Sequence, residues 1–293
     1  MSFFLLIGME SIAWSLRRFH TPVKRHDLVL EVGSGGNPYP RSNVLLDAYE
    51  STRERHWAPL TSDRPTVIGF VENLPFRDNS FDFVIASHVL EHSLDPEKFI
   101  AELQRVAKSG YIEVPDAFLE RINPYRDHRL EITVRDDSLI IFKKKSWIQD
   151  LPLVELYEDR VKKYLTKELI PRRPFKFHVR YFWTKKIQYK VLNPQDNIDW
   201  EAPKSHHPTE KISKSSAVRE WLRVILRNLL SQRRRNREID LMNLIRCTAC
   251  HSENMIIHND HIECGFCGES FLRRNGLVVM NKVNQIRPEP FYS

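Results

Sequence analysis

Apolar positions in the first half of the chain fall into short runs separated by a helix-spaced stripe. Residues 28–32, 44–47, 66–68, 83–86 and 111–114 are apolar segments bounded by Gly, Pro, Asn and Asp, a pattern of strands buried on both faces. Between the last two, Asp95 offers an N-cap, Pro96 a first helical position and Glu97 a charge that suits the dipole. Phe99, Ile100, Leu103, Val106 and Ala107 then recur on one helical face, and Gly110 is read as the stop. Strand and helix alternating in this way predict an α/β fold with a doubly wound parallel sheet. Beyond Pro115 the pattern changes. Residues 130–142 read as a hairpin around Arg135-Asp136-Asp137-Ser138, residues 154–169 have helical spacing, and residues 178–192 read as a second hairpin.

Residues 193–216 are rich in Pro, Asn, Asp, Lys and Ser without an apolar period, which predicts a linker. Val218, Trp221, Leu222, Ile225, Leu229 and Leu230 follow as one helical stripe, with Arg219, Arg223 and Arg227 on another face and Arg233-Arg234-Arg235 after it. Such a helix suits peripheral contact with an anionic membrane, or else packing as a connector with its arginines in water. The pattern divides the chain into residues 1–192, 193–237 and 238–293. At the N-terminus an apolar run lacks a preceding basic region and meets Glu10. It reads as a short helix, with Ile12, Trp14 and Leu16, over one sheet edge rather than as a signal peptide.

Leaving the first strand, the chain reads LEVGSGGNPYPRSNVLLD over residues 30–47, and ENLPFRDNSFDFVIASHVLEH follows over residues 72–92. Gly33 and Gly35 let a ligand edge approach the backbone at the carboxyl end of a strand, where open α/β sheets bind ligands. Together these segments resemble the class I S-adenosylmethionine-dependent methyltransferases, in the branch marked by LPF…NSFD. The resemblance implies a Rossmann-like methyltransferase sheet closed by an antiparallel pair. The second hairpin is assigned to that role, and the first to a substrate-side insertion. It also implies that Glu31, Gly33, Ser34 and Gly35 face the methionine part of S-adenosyl-L-methionine and that Asp47 accepts from the ribose. Many relatives carry Asp where this chain has Phe70, so Glu72 and Asn73 become the polar candidates for the adenine edge. With Asn37, Pro38 and Pro40 in residues 33–43, the first crossover is too short and proline-rich for a full helix, and a pyrophosphate cofactor would lose its usual anchor.

All four cysteines of the chain lie in Cys247-x2-Cys250-x13-Cys264-x2-Cys267. Two CxxC knuckles can present four thiolates to a tetrahedral Zn²⁺, with Gly265 and Gly268 easing the second bend. Residues 240–282 resemble the small zinc-binding activator subunit of tRNA and protein-release-factor methyltransferases, which implies a C-terminal zinc ribbon supporting the enzyme in cis. Clustered CxxC usage, without a disulfide framework, suits a reducing and cytoplasmic compartment.

Methyl transfer to a hydroxyl needs a base beside the donor. His88, Glu91 and His92 follow the fourth strand and Asp116 the fifth, which makes His92, then His88 and Asp116, the candidate bases, with His128 behind them. The tetrapeptide of many amino-group methyltransferases is absent, so a hydroxyl or carboxyl of a small metabolite or glycan precursor is the expected acceptor. The chain has 293 residues, 41% of them hydrophobic, enough for a full core and a small second unit. A formal charge of +7 suits an anionic partner, which keeps RNA as an alternative substrate. A non-catalytic scaffold that keeps the fold is the other alternative, suggested by Phe70 and the shortened crossover.

Overall fold

The computed structural model describes residues 4, 6–52, 59–200, 225, 227 and 229–281. Five strands form the parallel heart of the sheet: β1 (Val29–Val32), β2 (Val44–Asp47), β3 (Thr66–Ile68), β4 (Phe83–Ser87) and β5 (Ser109–Pro115), in the order β3-β2-β1-β4-β5. Their residues are almost all buried, as a parallel sheet covered on both faces requires. This is the expected α/β Rossmann-like methyltransferase fold.

Residues 33–43 connect β1 to β2 without a helix. Glu31 at the end of β1 anchors this loop instead, accepting from the Tyr39 amide at 2.8 Å and from the Ser42 hydroxyl. The Arg64 guanidinium adds a 2.6 Å bond to the Ser42 carbonyl. The helix between β4 and β5 is α2 (Pro96–Val106); an earlier short helix, α1, spans Glu10–Leu16. Asp95 caps α2 through the Lys98 amide at 3.0 Å, and Phe99, Ile100, Leu103 and Val106 form its buried face. Gly110, read from sequence as the helix stop, lies inside β5. A Cβ there would sit 2.7 Å from both the Trp183 Nε1 and the Val84 carbonyl oxygen, so close approach of strands, rather than helix termination, demands glycine.

After β5 come α3 (Ala117–Ile122), the antiparallel pair β6 (Leu130–Arg135) and β7 (Ser138–Lys143), and α4 (Leu151–Arg160). The second expected hairpin does not form. β8 (His178–Thr184) joins the main sheet antiparallel to β5, whereas β9 (Tyr189–Val191) leaves it and runs parallel to β7 in a separate sheet. Ile187, between them, is fully buried, and its amide is held by the Gln104 side chain at 2.7 Å, which carries the chain away from β8. α1 buries only Ala13, but Trp14 packs on Phe175 and His178, placing α1 near the start of β8.

The linker read from residue 193 begins as packed chain. Asn193 donates to the Lys143 carbonyl and accepts from its amide, both at 2.9 Å, and the Trp200 indole donates to Lys144 at 2.8 Å. Much of the amphipathic stripe, including Trp221, Arg219 and Arg223, lies outside the described residues. Its described arginines bind protein. Arg227 lies 3.3 Å from Asp63, and Arg235, in α5 (Arg233–Arg237), donates to the carbonyls of Arg25 and Asp27 at 2.9 and 2.8 Å. Among the described residues no helix is long and apolar enough to cross a membrane.

The C-terminal strands β10 (Met255–Ile257), β11 (His261–Cys264), β12 (Ser270–Arg274) and β13 (Leu277–Val279) form an antiparallel ribbon. Rather than hanging from a linker, the ribbon continues the main sheet: β13 pairs in parallel with β3, so ten strands share one sheet. Ile245, Phe271, Val278 and Met280 belong to the same buried cluster as the central strands. We expect Gly110→Ala to destabilise the fold by about 1–3 kcal/mol through overpacking. An unchanged urea midpoint would show instead that β5 and β8 can part to admit a methyl group.

Candidate active site and cysteine centre

Glu31, Gly33, Ser34, Gly35 and Asp47 lie at or just beyond the carboxyl ends of β1 and β2. Gly33 and Gly35 adopt φ of +64° and +58°, which glycine takes without a Cβ penalty. Gly33 also lies under Val89, whose Cγ2 would be 2.1 Å from an added Cβ. The Ser34 amide donates to the Leu46 carbonyl at 3.1 Å. Asp47 closes β2 and accepts from the Gly35 amide at 2.9 Å and the Tyr49 amide at 3.3 Å, so its carboxylate also shapes the turn. Burial raises the pKa of Glu31, whose Oε2 is engaged by the 33–43 loop. Phe70 meets Tyr49 edge-on at 5.8 Å, making an aromatic wall at the ends of β2 and β3.

The two polar candidates beside Phe70 separate. Glu72 accepts from the Ser93 hydroxyl, holding the turn after β3 to the segment before α2. Asn73 donates to the Thr248 carbonyl at 3.0 Å, so it ties the crevice to the first cysteine knuckle rather than presenting that amide to a ligand.

The candidate bases also take different positions. His88, with φ of +58°, has its ring between two carboxylates: Nε2 is 3.4 Å from Glu113 and Nδ1 is 3.4 Å from Glu91. Burial disfavours its charge, but those carboxylates outweigh burial and raise its pKa to about 9. It therefore carries a proton at neutral pH and is poorly suited to take one, which corrects its expected role. Asp116 is spent on structure: it caps α3 through the Phe118 amide at 2.9 Å and accepts from the Thr133 hydroxyl at 2.7 Å. His92 lies on the turn Leu90–His92 after β4, with Nδ1 3.2 Å from the Asp127 carbonyl and its ring edge-on to His128 at 4.8 Å.

Sequence reasoning missed the network around Glu113. Its buried carboxylate receives Arg17 through Nε at 2.8 Å and Nη2 at 2.7 Å, as well as Ser87 at 3.2 Å and the Tyr111 hydroxyl. Burial opposes the Glu113 charge, yet Arg17 and His88 prevail and hold its pKa well below the ordinary carboxylate range. An acidic residue inside the apolar run YIEVP was the available signal. His178, at the start of β8, gave none. Its Nδ1 is 2.9 Å from the Pro174 carbonyl, and burial together with the nearby His88 lowers its pKa. A cleft of about 380 Å³, lined in part by Asp116, Thr133, Phe175 and Arg180, opens beside it.

The four cysteines converge. Sγ atoms of Cys247 and Cys267 are 3.7 Å apart and those of Cys250 and Cys264 are 3.6 Å apart, far beyond a disulfide bond and close to the ~3.8 Å edge of a tetrahedron with Zn–S bonds of about 2.3 Å. All four lie within 4.8 Å of one another. Burial, together with hydrogen bonds to the Cys250 and Cys267 thiols, pushes the Cys247 thiol up to about 12, whereas hydrogen bonds from the Cys267 and Phe266 amides bring Cys264 down to about 6. The donor set fits a tetrahedral metal.

Residues 31–112 match the family model of the methyltransferase domain. Over 43 residues the chain is 46% identical to ajmaline N-methyltransferase of Rauvolfia serpentina, a stretch that is 15% of each chain. Over 81 residues it is 31% identical to an uncharacterized protein of Methanocaldococcus jannaschii, covering 28% of this chain and 40% of that one. The chain thus spans less than half the length of these relatives. Among solved structures, a chain of the complex between the Haloferax volcanii Trm112 methyltransferase activator and a methyltransferase aligns with 64% of this chain and 97% of its own, at 19% identity and a TM-score of 0.35. An S-adenosylmethionine dependent methyltransferase from Mesorhizobium loti aligns with 59% and 96%, at 9% identity and a TM-score of 0.33. Residues 31–112 thus match a methyltransferase domain, and the parallel strands they contribute to form a Rossmann-like sheet.

Breaking a buried ion pair from one side leaves an uncompensated charge. Arg17→Met should therefore cost about 3–5 kcal/mol, read by urea unfolding at neutral pH, and Glu113→Gln on that background should recover part of the loss. Because the folded pKa of Glu113 is depressed, its contribution is present above its ordinary value of 4.5 and lost as pH falls toward the folded value. The wild type should accordingly lose more stability on acidification than Arg17→Met. Parallel acid limbs would assign the acid loss to other carboxylates.

Proposed function

We propose that the chain is an S-adenosylmethionine-dependent methyltransferase whose C-terminal ribbon binds zinc and supports the catalytic sheet in cis. The acceptor in this reading is a hydroxyl or carboxyl of a small metabolite or glycan precursor. The observation that carries it is the glycine turn after β1, at the carboxyl end of a sheet whose residues 31–112 match the methyltransferase domain. Residues 33–43 form no helix, so the turn offers no helix N-terminus for a pyrophosphate. S-adenosylmethionine supplies an electrophilic methyl group on a sulfonium, and its recognition needs no phosphate site.

The protein's contribution is approach geometry and exclusion of water. Asp47 would accept from the ribose hydroxyls while keeping the Gly35 amide, and the Phe70–Tyr49 wall would cover the base. Protonated His88, with 41% of its side chain reaching solvent, would present a cation to an anionic or strongly polar acceptor. Of the three expected bases, His92, on the turn after β4, is the one this reading keeps for that role. Support for the ribbon's role comes from the β3–β13 pairing and the Asn73–Thr248 bond, which join the cysteine knuckle directly to the crevice wall.

Calorimetry should show binding of S-adenosylmethionine or S-adenosylhomocysteine and none of NAD. Asp47→Ala should weaken binding by roughly 10–100-fold, the loss of charge-assisted hydrogen bonds. Equal binding of NAD, or no loss in Asp47→Ala, would overturn the assignment. Elemental analysis should find zinc, and Cys264→Ser should release it. Since β13 is hydrogen-bonded to β3, that variant should also lower the melting temperature of the whole sheet; an unshifted sheet transition would argue against support in cis.

A further inference from the structure

We propose a second metal site, distinct from the four cysteines, in which Glu91, His92 and His128 hold a divalent transition metal at the carboxyl end of β4. A carboxylate oxygen of Glu91 and one ring nitrogen from each histidine lie within 4.8 Å of one another. Two segments distant in sequence bring them together, because the Arg129 amide donates to the Glu91 carbonyl at 2.6 Å and stitches residues 125–130 onto the turn after β4.

The independent observation is the state of Glu91. Its side chain is 2% exposed, and neither carboxylate oxygen makes a hydrogen bond. Its nearest charged partner is His88, whose Nδ1 is 3.4 Å from one carboxylate oxygen and which is shared with Glu113. A buried carboxylate held by one long, shared ion pair is under-compensated, and metal coordination would relieve it.

Each histidine has one ring nitrogen beside an oxygen of the protein, the kind of outer contact that orients metal-ligating imidazoles. His128 Nδ1 bonds Glu120 at 2.7 Å, and Glu120 is itself fixed by Lys144 at 2.7 Å and the Tyr125 amide at 3.0 Å. His92 Nδ1 faces the Asp127 carbonyl at 3.2 Å. Tyr125 stacks on the His128 ring at 4.7 Å and fixes its plane. Bonds of about 2.0–2.2 Å would set ligand atoms roughly 3–3.5 Å apart, a contraction within rotamer adjustment. Two imidazoles and one carboxylate suit Zn²⁺, Mn²⁺, Fe²⁺ or Co²⁺ and leave positions open. By contrast, His258, His261 and Glu263 form a trio on the ribbon whose carboxylate is 42% exposed, so solvent meets its charge and that surface carries no comparable demand.

On the methyltransferase reading, the open position would take the acceptor oxygen and lower its pKa, which makes His92 a ligand rather than the base. Metal binding itself does not depend on that reading.

The test uses the full chain, stripped with chelator, reloaded with one equivalent of Zn²⁺ to fill the thiolate site, and titrated with Mn²⁺ or Co²⁺. The wild type should bind about one further equivalent, with electron paramagnetic resonance showing nitrogen couplings from imidazole. Glu91→Gln and His128→Gln should each lose that equivalent while retaining zinc and far-ultraviolet dichroism. A wild type that takes no second metal, or variants that bind it unchanged, would overturn the proposal. Should a variant not fold, the wild-type stoichiometry and nitrogen couplings decide alone. Loss of cofactor binding would count against the methyltransferase reading and leave this result standing.

Discussion

An open edge of a parallel sheet exposes a row of amide and carbonyl groups, and covering that edge organises much of this molecule. Here the edge is β3. A strand from more than two hundred residues downstream fills it: β13 pairs with Thr66–Ile68, and the Met280 amide extends the ladder to the Ile68 carbonyl at 2.8 Å. Once β13 is seated, the rest of the ribbon is drawn against the sheet. Arg77 binds the Leu244 and Ile245 carbonyls, Arg246 binds the Pro75 carbonyl, and Ile245 enters the main core. The cysteine knuckles are thereby set beside the turn that lines the crevice, with Thr248 joining Asn73 on one side and Met280 on the other. One strand pairing thus couples the four-cysteine ribbon to the glycine turn after β1 and its surroundings.

A second organising feature is the concentration of buried carboxylates at the carboxyl ends of β4 and β5. Glu91, Glu113 and Glu120 are all nearly inaccessible. Glu113 is matched by Arg17 and His88, and Glu120 by Lys144 and His128. Glu91 faces three histidines, and the nearest, His88, forms a 3.4 Å ion pair that is shared with Glu113, which is why it stands out among them. Buried charge of this density is costly to assemble and is typical of functional sites rather than of structural cores. The partners come from four segments: the turn after α1, the turn after β4, the loop around residue 128 and the residue after β7.

The positions of the five strands, the capped helix α2, the helix-free first crossover and the cysteine knuckles were all legible in the sequence. Each rests on local chemistry: apolar runs, an Asp-Pro start, two prolines near a glycine turn, and paired CxxC spacing. Expectations failed where the outcome turned on a distant partner. Gly110 looked like a helix stop because its role depends on Trp183, and residues 187–192 looked like half of a hairpin because their partner, β7, is not adjacent in sequence. Asn73 looked like a ligand contact because Thr248 is 175 residues away. Asp116 and His88 looked like bases because residue type alone conveys neither capping geometry nor the field of two neighbouring carboxylates.

By itself, then, the sequence determined a class I methyltransferase sheet, its glycine-turn crevice and a four-thiolate cluster, since these follow from short-range periodicity and spacing. Tertiary structure alone decided that the ribbon is a continuation of the sheet, which histidines are charged or held, and that Glu91 meets His128. Those outcomes depend on hydrogen-bond registers and electrostatic surroundings assembled from segments far apart in the chain, and no local pattern encodes them.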